Sequence, residues 1–115
     1  MSSENFITQD SQTPVKYAVV NTNATAVLIA AVTGKKIRVL SYLLQPISTV
    51  TVTLRNSVTT ATLITGAMTY TTGANPIQAE FSPVGHFETI VSEGLSLLLG
   101  SGVQVSGHIA YQEIG

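Results

Sequence analysis

The chain contains no cysteine and no tryptophan, and only 10% of its 115 residues carry charge. Each absence removes a class of mechanism. Without cysteine there are no disulfide staples, no thiolate metal sites and no cysteine nucleophile. Soluble domains typically carry about 25% charged residues. A surface this poor in charge has little protection against association, and it reads as a surface meant to be covered. Five basic residues stand against six acidic ones, for a net charge of -1. That balance leaves out the basic footprint a nucleic-acid binder needs for phosphate contacts. Lys35, Lys36 and Arg38 form the only basic cluster, and they read as a solvated turn. The longest apolar stretch, residues 24–32, is interrupted by Thr25 and falls far short of the ~20 residues of a membrane helix. The first residues show neither the basic nor the apolar region of a secretory signal, so the expectation is a protein made in the cytoplasm without export.

What the chain does have is β-branched residues at short, regular intervals. Residues 1–14 are polar and end in proline, with no period of two or 3.6, and read as an N-terminal arm whose apolar contact points are Phe6 and Ile7. Residues 15–115 read as one domain. Apolar runs recur about every ten residues with turn residues between them, the spacing of an antiparallel two-sheet β-sandwich of about eight strands. Residues 48–55 give the cleanest alternation, with Val50, Val52 and Leu54 on one face and Thr49, Thr51 and Thr53 on the other. Val103, Val105, Ile109 and Tyr111 repeat the pattern, and Gly107 sits where a close approach or a bulge is needed. Thr33-Gly34-Lys35-Lys36 carries the glycine of a type II′ turn, so residues 24–32 and 36–45 are expected to pair as a hairpin.

Those two strands are apolar on both faces. On the second, Ile37, Val39 and Leu43 fall on one side and Leu40, Tyr42 and Leu44 on the other. The outer face of a lone sandwich lies in water, so a second apolar face needs its own cover. A symmetric subunit interface is the economical cover, with Leu28, Leu40, Tyr42 and Leu44 as its candidate residues. A strand hidden beneath the arm is the competing explanation. On this reading Leu40→Asp and Leu44→Asp dissociate an oligomer and leave its monomer folded, whereas Val52→Asp unfolds it.

No constellation of catalytic residues emerges. His86 and Glu88 share a strand face and could join His108 as a metal site, but nothing in the sequence brings His108 beside them. A glycosidase pair would have to come from Glu80, Glu88, Glu93 and Glu113, whose separations are not legible. The single aspartate, Asp10, lies in the arm, so a serine triad and a calcium loop both lack support. Glycines are scattered, with no phosphate loop. The expectation is a protein that is not an enzyme and needs no cofactor. Sugar binding is the main alternative to a structural role. It usually stacks rings on exposed aromatics, and Tyr17, Tyr42, Tyr70 and Tyr111 mostly fall within strand patterns.

Three segments in order carry a likeness: Ala31-Val32-Thr33-Gly34-Lys35-Lys36-Ile37-Arg38-Val39-Leu40-Ser41-Tyr42, then Pro83-Val84-Gly85-His86-Phe87-Glu88-Thr89, then Val105-Ser106-Gly107-His108-Ile109-Ala110-Tyr111. Together they resemble the small β-sandwich decoration, or cement, proteins of tailed-bacteriophage heads. The resemblance covers roughly residues 15–114. It implies a jelly-roll subunit, a homotrimer clamped on the outer capsid surface at junctions of the major capsid protein, with an arm that reaches a neighbour or the shell. Similar modules in tails and fibres keep binding of host-surface carbohydrate as the alternative.

Overall fold

Alternation of branched apolar residues with threonine along residues 50–54 buries Val50, Val52 and Leu54 on one side of a strand. The computed structural model describes residues 13–57 and 62–115; Phe6 and Ile7 of the arm lie outside them. Among the described residues there are nine strands and no helix: β1 (Lys16–Thr22), β2 (Ala26–Ile29), β3 (Lys36–Pro46), β4 (Val50–Asn56), β5 (Met68–Tyr70), β6 (Ile77–Ala79), β7 (Phe87–Glu88), β8 (Leu95–Leu99) and β9 (Val105–Ile114). Sheet 1 has the order β1-β9-β3-β6, with the short β7 also paired to β3, and sheet 2 has the order β2-β8-β4-β5. Every pairing is antiparallel. β1 pairs with β9, β2 with β8, β3 with β6 and β7, and β4 with β5. A long antiparallel hairpin wrapped so that its successive strand pairs, β1/β9, β2/β8, β3/β6 and β4/β5, fall in alternate sheets gives this order, a jelly-roll-like sandwich.

The wrapping overturns the expected hairpin. β2 joins β8 in sheet 2 while β3 joins β9 in sheet 1. The intervening turn does close, with Lys35 N–H donating to the Val32 carbonyl at 3.0 Å. Gly34, at φ 79°, is however the third residue of that turn, which is the type II placement of glycine and not the type II′ one. Type II turns splay the flanking strands, and here the chain crosses from one sheet to the other. β2 is also shorter than residues 24–32, and its register shifts between Val27 and Ile29.

The expected division of β3 into faces changes as well. Its ladder with β9 is interrupted between Val39 and Ser41, so Leu40 is an extra residue and the side-chain parity flips across it. Ile37, Val39 and Leu44 therefore share the core with Val20, Val105 and Ile109 from sheet 1, and with Ile29, Val52, Leu54, Leu95 and Leu97 from sheet 2; Tyr42 packs on its margin. Leu40 is buried but stands outside that cluster.

Threonine does more here than fit a pleated surface. Where a strand end leaves a backbone N–H unpaired, a threonine hydroxyl accepts from it: Thr65 from Leu54, Thr25 from Leu99, and Thr49 and Thr72 reciprocally from each other. Thr89 is the buried instance. Its Oγ1 accepts from Ile37 N–H at 2.9 Å and donates to the Glu93 carbonyl at 2.9 Å. Thr89→Val keeps the shape but strands both partners, so the expected loss is about 1–3 kcal/mol in a urea titration, against a few tenths for Thr51→Val on the exposed side of β4.

Candidate assembly surface

The two outward faces of the sandwich differ in where their bulky exposed residues lie. On sheet 2 the register sets Arg55 beside Ser96 and Ser96 beside Val27, and sets Thr53 beside Leu98 and Thr51 beside Thr69. That face is dominated by hydroxyls, with Arg55 Nε donating to Ser96 Oγ at 3.4 Å. On sheet 1 the outward rows run Tyr17, Ala110, Ser41, then Val19, His108, Leu43, then the polar Asn21, Ser106, Gln45. Tyr17 is 75% exposed and Val19 81%. Ala110, like Leu40, is buried without belonging to the main core.

A groove of about 750 Å³ opens on this outward face. Leu40, thrust out of the ladder by its bulge, lies in it. Gln112 and Ile114 of β9 flank it on one side of β3, and Phe81, Pro83 and Val84 from the β6–β7 connection flank it on the other. That connection is held by backbone bonds: Ser82 N–H to the Leu40 carbonyl at 2.9 Å, Gly85 N–H to the Ser82 carbonyl at 3.0 Å, and His86 N–H to the Val39 carbonyl at 2.8 Å. The Ser82-Pro83-Val84-Gly85 turn thus forms, and it presents Val84 at 78% exposure beside Phe81 at 58%. Thr13, Pro14 and Val15 also line the groove, and Gln112 Nε2 donates to the Thr13 carbonyl at 3.0 Å. The last residues of the arm are thereby tied to the groove rim.

Charge is neutralised around this face. Arg38, the one charged residue lining the groove, is bound to Glu88 through Nε and Nη2, both at 2.9 Å from Oε2. Lys36 lies 3.8 Å from the same carboxylate, and Lys16 pairs with Glu113 at 3.0 Å. These exposed pairs contribute roughly 0–1 kcal/mol each to stability. Their larger effect is that the apolar face carries no strong field.

The residues singled out by sequence end up in different places. Leu44 lies in the core and Leu40 in the groove. Tyr42 is half-buried against the core, with its ring edge-on to His86 at 6.4 Å and tilted against Phe87 at 6.2 Å. Leu28 is half-buried and packs on the core from β2. The structure therefore does not gather Leu28, Leu40, Tyr42 and Leu44 on one surface. The sequence pattern placed Tyr17 within a strand, where packing was the expectation, and did not mark Val19, Phe81 or Val84 as surface candidates. Their signals were present: residues 15–20 are apolar at both parities, and two bulky apolar residues flank the proline of a turn.

The titratable groups do not converge either. His86 Nε2 is engaged with the Glu80 carbonyl at 2.6 Å, and Glu88 holds Arg38. His108 sits on β9 between Val19 and Leu43. Among the described residues no three His, Asp or Glu side chains form a group able to hold a metal ion. Compared with family models, curated proteins and solved structures, the chain gives no match. The functional argument therefore rests on the surface itself.

Proposed function

We propose that the protein is a virion structural subunit of the decoration or cement type, a homo-oligomer, in the resemblance's form a trimer, that binds the outer surface of the major capsid protein lattice and stabilises the head. The observation that carries this reading is the groove on the outward face of sheet 1, lined by Leu40, Phe81, Pro83, Val84 and Ile114, with its one charged lining residue, Arg38, neutralised by Glu88. Cover of that face in an assembly should bury at least ~1,000 Å² in total. Cementing suits a charge-poor face because shape and apolar contact hold at the varied ionic strengths that weaken surface ion pairs.

The test is whether the chain travels with particles. Heads purified from producing cells should contain it in a constant ratio to the major capsid protein, measured by quantitative mass spectrometry. Its absence from heads, or its presence only with isolated tails, overturns the head assignment. The exposed ring of Tyr17 favours a second reading, a tail or fibre module that stacks host-surface sugar. A glycan array on which binding is lost in Tyr17→Ala would establish that alternative.

A further inference from the structure

We infer that β1 is a docking edge for a second copy of this chain, with the two β1 strands pairing antiparallel across a two-fold axis at Val19. The inference concerns a sheet edge and does not rest on the capsid reading. The two sheets together expose four edges. β6 and β5 are three residues each, β7 on the same side as β6 is two, and β2 is four residues with a register shift. Short or irregular edges of this kind are how proteins block unwanted pairing. β1 is different. It runs seven residues in unbroken register with β9, and it contains neither proline nor glycine. No backbone hydrogen bond among the described residues reaches its other side.

Its only charge, Lys16, is drawn to Glu113 and so does not guard the edge. The two residues that project outward from its middle are Tyr17 and Val19. Pairing centred on Val19 uses all seven residues: Lys16 faces Thr22 of the second copy, Tyr17 faces Asn21, Ala18 faces Val20, and Val19 faces Val19. No like charges oppose, and outward residues meet outward residues, so the apolar face of sheet 1 continues from one copy into the next. A shift of register in either direction leaves strand ends unpaired.

The position on the axis supplies the experiment. Val19→Lys or Val19→Glu changes a side chain that is already in solvent, so each variant should melt close to the parent. Within a dimer, however, each puts like charges directly opposite, which disfavours cross-strand pairing. By sedimentation velocity at micromolar concentration, each single variant should sediment at half the parent mass, or associate at least about tenfold more weakly. An equimolar mixture of the two should recover the parent mass, because lysine then faces glutamate. Val84→Lys, equally exposed but off the edge, should leave this association unchanged. A parent that is monomeric, variants that sediment like the parent, or a mixture that fails to recover would each overturn the pairing. A trimer insensitive to Val19→Lys would do so while leaving the capsid reading intact.

Discussion

Leu44→Asp and Val52→Asp are both expected to abolish folding, whereas Leu40→Asp should yield a folded, weakened protein. Leu44 of sheet 1 and Val52 of sheet 2 both lie fully buried among the aliphatic residues between the sheets. A carboxylate there has no cation and no water, so it must either protonate or force the sheets apart. The cost should exceed about 4 kcal/mol, most of the stability of a domain of this size. Leu40 is just as buried by area, yet it lies in a groove that opens outward and that Arg38 also lines. Aspartate there loses the burial of one leucine, about 2–3 kcal/mol, but its carboxylate borders the outward-opening groove, where it can be hydrated. Circular dichroism and urea titration of the three variants check the ordering. A folded Leu44→Asp protein would contradict the face assignment of β3.

Gly107→Ala should be the most damaging change at any surface-accessible glycine. Gly107 sits in β9 between Val20 of β1 and Leu44 of β3. Its φ of 153° is one that L side chains rarely adopt, and a Cβ would land on the carbonyl oxygen of Leu43. Because that oxygen is backbone, relief requires β3 and β9 to separate in the middle of sheet 1. The expected loss is about 3–5 kcal/mol, a fall of roughly 15 °C or more in Tm. Gly66→Ala, where an added Cβ meets nothing within 4 Å, should stay within about 0.5 kcal/mol. Similar melting of the two variants would mean that β3 and β9 are not so closely apposed.

The strands whose partners did not matter were the legible ones. Alternation at Val50, Val52 and Leu54, and the glycine at 107, could be read directly, because one buried face imposes a period of two whatever lies alongside. Pairing was not legible from local signals. Gly34 marked a turn correctly, but whether residues on either side pair with each other or with β8 and β9 depends on segments more than sixty residues away. One bulge then reversed every face assignment beyond Leu40, since a single extra residue flips a period of two. For the same reason the candidate interface dissolved: Leu44 went to the core, and the exposed surface was assembled instead from Tyr17 and Val19 on the edge strand and Phe81 and Val84 in a turn. The shortage of charge is a signal of another sort, because it describes the surface without needing to know which residues form it.

Phe81 and Val84 give the most direct test of the outward face of sheet 1 as the assembly surface. Both are largely exposed in the lone subunit, so Phe81→Asp/Val84→Asp should leave its melting temperature within a few degrees of the parent. The measurement is co-sedimentation of this double variant with heads that lack the protein, beside the parent chain. The parent should pellet with the heads, and the folded double variant should stay in the supernatant. A double variant that pellets as fully as the parent would contradict it.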